Sequence, residues 1–585
     1  MNITTINNQR IKQLGLLFAA ALVIIILRLF YLQIIQHGVY TDIARAEQQK
    51  QLTLPASRGE LYALDNGEPV KIAMNETVYT VFADPETVDR DELGEIISSL
   101  NEIAGAETVD EVRDKLTKEN SRYQVVARDI TRTQAQLLKD KKYAGIGFIE
   151  GSRRTYPEGR LAAQTLGFVN AEGKGQYGIE QYFNERLNGV DGELRTVTDV
   201  RNVPLTIGSD NLRREPVDGE NLVLTIDRNV QSYAEEALQK GLERAGASDG
   251  SVVVMNPNNG DILAMANYPT YNPNEYFKVQ DAAQFTNSVV SVPYEPASVI
   301  KSFIFAAAID QGKITPSSTF YNSDSVKIDD ATIRNAYTGI TGTRTMQEAY
   351  DWSLNTGSVY AAQQLGGGQL NRPARDIMYQ YYHDRFKMGQ LTGIEVAGEA
   401  AGSIISPEEE QGNAVRYSNM TFGQGMDVTM LQVASGYSSI INGGTYQRPH
   451  IVKGVIDADG DYSGRAAEGV GERVVSNDTS RAMREMSAVG RGNLMGGTNG
   501  DKTGYTIGGK TGTSQVVENN RYIFSETIGT YLGFGGATKP EYVIMVRVAA
   551  PGKKMEGGAH ASPIFTEISN WMIDYLRLHP KQGDQ

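Results

Sequence analysis

The stretch Tyr294-Glu295-Pro296-Ala297-Ser298-Val299-Ile300-Lys301 decides how this chain is read. A serine three residues ahead of a lysine is common by chance. Here Pro296 stands just before the pair, and an apolar run over residues 303–309 follows it. Proline suits the first turn of a helix, where its missing N–H is not needed. Positions i and i+3 share a helical face, so hydroxyl and amine can meet. A serine nucleophile with a lysine base requires that arrangement.

Two more motifs follow in order. Ser353-Leu354-Asn355 lies in Asp351-Trp352-Ser353-Leu354-Asn355-Thr356-Gly357, and Lys510-Thr511-Gly512-Thr513 follows Gly508-Gly509. A lysine at its ordinary pKa of about 10.4 is protonated at neutral pH and cannot act as a base. Burial and a second nearby cation can lower it, and Lys510 is the obvious second cation for Lys301. Ser353 can relay a proton to a leaving amine, and Asn355 can hold both a lysine and a substrate amide. The Gly-flanked Lys510-Thr511-Gly512 reads as a strand edge that pairs with an extended peptide. The backbone N–H groups of Ser298 and Thr513 are candidates for an oxyanion hole. Each tripeptide alone is weak. Their order is that of penicillin-binding proteins and class A β-lactamases.

Around this core, residues 221–226 read as a strand and 230–245 as a helix. Strands at 251–255 and 261–266 form a hairpin across Asn256-Pro257-Asn258-Asn259-Gly260. Strands at 527–534 and 542–548 and a helix at 565–576 close the chain. Strands at both ends with a helical block between them give an α+β domain over 216–577, leaving a short tail at 578–585. Residues 37–215 read as mixed and turn-rich, with a strand at 78–83, helices at 91–104 and 108–116, and turns around Gly173, Gly189 and Gly192.

Residues 14–27 carry no charge, and 29–35 continue the apolar run after Arg28. Roughly 20 apolar residues span a bilayer core. We therefore read 11–36 as a single membrane anchor, with Arg28 snorkelling and 1–10 as a short tail. Arg10 and Lys12 precede it without acidic residues, which places the N-terminus in the cytoplasm and the bulk outside. The competing reading is a signal peptide cleaved at Ala44-Arg45-Ala46, but that site lies well beyond the apolar run.

Composition excludes other classes. The net charge of −14 and the lack of a basic run argue against nucleic acid as a partner. With no cysteine there is no disulfide, no thiolate-bound zinc and no thiol nucleophile. The 5 histidines are scattered, so no metal site and no cofactor is expected. Lys502-Thr503-Gly504 repeats the third motif inside a polar loop and reads as a turn. Gly504 to Thr511 matches a phosphate cradle, but a polar loop precedes it and no helix start follows. Gly246-Ala247-Ser248-Asp249-Gly250 matches a nucleophile elbow, yet it joins helix to strand and not strand to helix.

Taken together, the chain resembles the class B penicillin-binding proteins, membrane-anchored peptidoglycan D,D-transpeptidases. Beyond the three motifs, Arg58-Gly59-Glu60-Leu61-Tyr62, Arg154-Thr155-Tyr156-Pro157 and Gly178-Ile179-Glu180 resemble the family's non-catalytic pedestal. Leu224-Thr225-Ile226-Asp227 with Gln231 resembles the entry to its transpeptidase domain, and Phe422-Gly423-Gln424-Gly425 and Asn442-Gly443-Gly444 resemble later stretches. The resemblance implies a penicillin-binding transpeptidase domain on an elongated pedestal or dimerisation-type domain. It implies an acyl-Ser298 intermediate, with Lys301, Ser353, Asn355 and Lys510 catalytic and Thr511, Gly512 and Thr513 binding substrate. Peptidoglycan stem peptides and their lipid-linked precursor would be the substrates, and β-lactams would acylate Ser298. A separate polymerising glycosyltransferase and division or elongation membrane proteins would be the partners. Three positions depart from the family: Ala297 where Gly is usual, Leu354 where Ser is commoner, and Ser514 for a frequent Ala.

A β-lactamase would need a deacylating acid between the second and third motifs, and the only Glu-x-Leu-Asn, Glu185-Arg186-Leu187-Asn188, precedes the serine. A carboxypeptidase, an elongation-type transpeptidase and a non-catalytic scaffold remain as alternatives. The Arg154-Thr155-Tyr156-Pro157 stretch favours the septal branch.

Overall fold

The apolar N-terminal run folds into a helix, Ile3–Phe30, that continues through a wider π turn, Tyr31–Ile35. In the computed structural model, which describes residues 3–41, 49–105, 108–197, 212–465, 471–493, 500–518 and 521–581, this helix belongs to a unit made of Met1–Arg58 and Asn188–Gly219. Large apolar side chains such as Leu16, Phe18 and Ile24 are exposed on it. The segment Gln9–Ile35 has a mean hydropathy of 2.5 and is long and apolar enough to cross a membrane. The alternative cleavage site at residues 44–46 lies outside the described residues. The same unit holds a three-stranded sheet of Gln49–Leu54, Gly192–Val197 and Leu212–Arg214.

The second unit comprises Gly59–Leu187 and Glu220–Gln585. Its strand Asn221–Asp227, expected from sequence, does not join the sheet of the hairpin that follows it. It pairs in parallel with Leu61–Asp65 on one side and antiparallel with Val452–Ile456 on the other. That seven-stranded sheet continues through Glu68–Ala83, of which the expected strand at 78–83 is only the end. The backbone approach is close: a Cβ on Gly59 would meet the Glu220 carbonyl oxygen at 2.0 Å. The helices Leu93–Ala104 and Val109–Leu116 form where their periodicity placed them. Arg154 and Glu180, from two separate family-like stretches, meet as a buried pair at 2.8 Å.

The five-stranded antiparallel sheet runs in the order Ile262–Tyr268, Asp249–Met255, Pro540–Ala549, Arg521–Gly536, Thr506–Glu518. Alternate residues of a strand face opposite sides. Val252 and Val254 accordingly pack with Val230, Leu238 and Phe565 from the helices Arg228–Ala245 and Ser562–Tyr575. Val253 and Met255 belong to the larger core with Phe303 and Tyr437. Both faces are covered, which is why the strand reads as a continuous apolar run. Asp227 caps the helix Arg228–Ala245 by accepting from the N–H groups of Asn229 and Val230, and Gly246 ends it with φ at 62°. The helix Lys301–Asp310 is buried from Lys301 to Ala308 and has no polar face, so it runs through the interior. The hairpins Thr319–Asn322 with Gly342–Thr345, and Ser325–Ile328 with Ala331–Arg334, were not anticipated.

Candidate active site

Ser298 does not sit on the same α-helix as Lys301. It lies in a 3₁₀ turn, Ala297–Ile300, and the α-helix begins at Lys301. Residues i and i+3 eclipse in a 3₁₀ helix, yet among the described residues Lys301 Nζ bonds Ser353 and Asn355 and not the Ser298 hydroxyl. Ser298 is half-buried. Its hydroxyl has no hydrogen-bond partner among the described residues, which leaves it open to the cleft.

Lys301 is fully buried because its helix is. Its Nζ donates to the Ser353 carbonyl at 2.5 Å, to Ser353 Oγ at 3.1 Å and to Asn355 Oδ1 at 2.8 Å. Ser353 ends a turn between the helices Met346–Asp351 and Asn355–Leu365. It adopts φ of 53°, a left-handed conformation unusual for a residue with a side chain. That reversal turns Ser353 and Asn355 toward the same amine. Asn355 Nδ2 in turn donates to the Arg334 carbonyl at 2.8 Å, which fixes the amide's orientation.

Lys510 approaches from the strand Thr506–Glu518, which lies at the edge of its sheet. It is 1% exposed, and its Nζ donates to Ser353 Oγ at 2.9 Å and to the Thr511 carbonyl at 3.2 Å. The Ser353 hydroxyl therefore stands between two buried amines. Burial pushes the Lys301 pKa well below the usual lysine range, and the Lys510 charge adds to the shift. Burial lowers Lys510 to about 7, against a smaller opposing pull from Asp351.

Gly512 passes close to the Ala297–Ile300 turn. A Cβ there would lie 2.9 Å from the Pro296 carbonyl oxygen and 3.5 Å from the Ala297 methyl. Thr511 is half-buried; Thr513 is exposed and accepts from the Gly557 N–H at 3.2 Å. Ala297, the departure nearest the serine, is 4% exposed and has φ of 57°, where glycine is unstrained. Its N–H donates to the Gly423 carbonyl at 3.2 Å, and a Cβ on Gly423 would strike the Ala297 carbonyl oxygen at 2.1 Å. The Phe422-Gly423-Gln424-Gly425 stretch thus packs directly against the turn that carries Ser298.

Sequence reasoning missed Glu295. Its Oε1 accepts from the Gly425 N–H at 2.6 Å and from the Tyr522 hydroxyl at 3.0 Å, tying the turn to two other segments. The residue stood in the opening stretch, but nothing local announced its partners, which lie 130 and 227 positions away. Tyr350 was also passed over. Its hydroxyl bonds Ser302 at 2.8 Å and Ser487 at 3.1 Å, and Lys510 Nζ lies 6.0 Å from its ring centre.

The three decoys fall where expected. Lys502-Thr503-Gly504 is a turn whose lysine pairs with Asp574. Gly504 to Thr511 runs into a strand and not a helix. Gly246 caps a helix. No group of His, Asp and Glu suited to a metal ion occurs among the described residues.

Comparison with known proteins agrees in extent. Residues 250–570 match the penicillin binding protein transpeptidase domain, and residues 53–224 match the penicillin-binding protein dimerisation domain. The chain is 31% identical over 580 residues to stage V sporulation protein D of Bacillus subtilis, covering 97% of this chain and 86% of that protein. It is 27% identical to the probable peptidoglycan D,D-transpeptidase PenA of Neisseria meningitidis, over 98% of this chain and 94% of the relative. In fold it is similar to penicillin binding protein 2X from Streptococcus thermophilus, with a TM-score of 0.72 at 22% identity over 90% of this chain and 80% of that one. A serine turn, a Ser-x-Asn turn and a lysine-bearing edge strand, set in two matched domains along nearly the whole length, mean that this chain belongs to the class B penicillin-binding proteins.

Proposed function

We propose that this protein cross-links peptidoglycan stem peptides by D,D-transpeptidation through an acyl-Ser298 intermediate. The observation that carries the reading is Ser353 Oγ, held 3.1 Å from Lys301 Nζ and 2.9 Å from Lys510 Nζ. Lys301, its pKa depressed by burial, is the neutral base that takes the Ser298 proton as the hydroxyl attacks the penultimate D-alanine carbonyl. The proton passes through Ser353 Oγ to the departing D-alanine amine. A neighbouring stem's amine then attacks the ester carbon, its proton returns by the same relay, and Ser298 is released with a new amide bond. Asn355 holds Lys301 and the donor's amide. The unpaired edge at Thr511, Gly512 and Thr513 aligns the donor peptide as an added strand, and the Ser298 and Thr513 N–H groups face the oxyanion. β-Lactams acylate the same hydroxyl.

Residues 216–577 form the transpeptidase domain in this reading, supported by a five-stranded sheet drawn wholly from residues after 248. Residues 37–215 are its pedestal. The N-terminal helix anchors the chain, with residues 1–10 cytoplasmic and the catalytic domain outside, on the strength of Arg10 and Lys12. Glycan polymerisation comes from a separate glycosyltransferase, and the Arg154-Thr155-Tyr156-Pro157 stretch supports the septal branch. Localising a tagged copy to mid-cell checks that branch; a side-wall pattern refutes it.

A fluorescent penicillin tests the chemistry. The wild type is expected to label covalently and Ser298→Ala not at all. Absence of label on the wild type at saturating reagent would overturn the acyl-serine reading.

A further inference from the structure

A cavity of about 640 Å³ opens where the start of the strand Thr506–Glu518, the helix Asn477–Asn493 and the turn after Arg521–Gly536 come together. None of the residues assigned to acyl transfer lines it. Its volume lies within the range of small-molecule sites, roughly 300–1,000 Å³.

The wall is unlike the rest of the chain. The protein carries a net charge of −14, yet Arg481, Arg484, Lys502, Lys539 and Lys581 line this one cavity. Among the described lining residues Glu485 and Asp501 oppose them, Asp501 is already bound by Arg491 through two contacts of 2.6 Å, and Lys502 is paired with Asp574. Arg481 has only an exposed partner, Asp478, and Lys539 meets Glu541 at a loose 3.7 Å; such surface pairs contribute little. Arg484 is the telling residue. It is half-buried, and its Nη1 donates to neutral oxygens, the Ile441 carbonyl at 2.9 Å and Ser480 Oγ at 3.4 Å. Among the described residues no carboxylate lies within ion-pair distance of it. Burial pushes its pKa down; Glu485 opposes that and Arg481 adds to it. A half-buried cation without an ion-pair partner is only partly solvated, and an anion in the cavity would supply that partner.

Chemistry narrows the ligand. A carboxylate offers two oxygens, whereas a phosphate ester carries four, including two non-bridging oxygens in a diester and three in a monoester, to be shared among Arg and Lys. Apolar side chains, Ile507, Val489, Phe534 and Pro540, line it as well. We propose that this cavity is a second binding site, which takes an organic phosphate ester with its phosphate toward Arg484, Lys539 and Lys581 and its organic part on Val489 and Phe534. A soluble phosphate-ester polymer and a lipid headgroup share that chemistry.

The probe is inorganic pyrophosphate, titrated calorimetrically into the detergent-solubilised full chain. One saturable site is expected, weakening as salt is raised. Lys539→Glu/Lys581→Glu is expected to weaken binding at least tenfold with an unchanged thermal midpoint. If that variant unfolds early, Lys539→Gln/Lys581→Gln decides by the same tenfold criterion. No saturable binding by the wild type, or equal binding by a folded variant, overturns the proposal. Displacement of pyrophosphate by soluble glycerol phosphate oligomers assigns a polymer ligand. Displacement only by phosphatidylglycerol micelles assigns a lipid headgroup. Displacement by neither overturns the phosphate-ester class.

Discussion

Two buried charge clusters in the same unit are built in opposite ways. Arg491, 1% exposed, faces Asp501 through a two-pronged contact and also bonds Tyr531 and Thr566. Burial works to lower its pKa, but Tyr531 and Asp501 outweigh burial and raise it. Lys301 and Lys510, as deeply buried, have no carboxylate in contact among the described residues and share only the neutral Ser353 hydroxyl. Both of their pKa values fall. The first cluster keeps its charge and ties the helix Asn477–Asn493 to Ser562–Tyr575 through Thr566. The second sheds charge, which is what the proposed role of Lys301 as a base requires. Burial of a cation is therefore structural or chemical according to what it faces.

The sharpest way to break this contrast is Lys301→Met. Losing a base costs on the order of 10²–10⁴ in rate, while replacing a buried charge by an apolar chain of similar length is often neutral for stability. Stopped-flow acylation should collapse by that factor while the thermal midpoint holds or rises. Near-normal acylation would show that Lys301 is not the base. Asp501→Ala should do the reverse. It strands the Arg491 cation and should cost about 3–5 kcal/mol in a denaturant titration, with acylation per folded molecule changed only a few-fold. A stable variant would mean the pair carries little.

A finer test concerns pH. Acylation should rise with pH as the amines deprotonate, the two lysines titrating as a coupled pair. The positive Lys510 disfavours a second positive charge on Lys301. Removing it in Lys510→Met should raise the Lys301 pKa and move the acid limb of the profile to higher pH. A limb that stays or moves down would remove Lys510 as the tuning charge. The smallest effect is expected at Ala297→Gly. Relief of left-handed strain, about 1–2 kcal/mol, is offset by about 0.5–1 kcal/mol of extra chain entropy in the unfolded state. A change above roughly 2 kcal/mol in unfolding free energy would contradict this balance of terms.

Much of the cluster proposed for acyl transfer could be picked out because its parts are local in sequence: Ser298 with Lys301, Ser353 with Asn355, and Lys510 between glycines each lie within a few residues of one another. The anchor helix and the hairpin Asp249–Met255 with Ile262–Tyr268 were legible for the same reason. What escaped was long-range. The parallel pairing of Leu61 with Leu222 leaves no periodic trace, since a strand's pattern records its faces and not its neighbour. Arg491 and Asp501 lie ten positions apart, outside the i+3 and i+4 spacings that pair neighbours on a helix, so nothing in the sequence proposed their pairing. The left-handed backbone at Ala297 was visible only as a departure from a family glycine, and the structure supplies its meaning.

The edge strand Thr506–Glu518 carries a further consequence. An open edge is a template for unwanted association between chains, which proteins commonly blunt. This one cannot be covered if substrate is to lie along it. Gly508 and Gly509 are held to that size by the Phe534 ring and the Tyr531 hydroxyl, each 2.6 Å from where a Cβ would sit. Glycine is a poor strand former with no side chain to interlock. Both glycines are buried, so they set how closely the strand packs on the rings behind it, while the edge proposed for substrate begins further along, at Thr511 and Thr513.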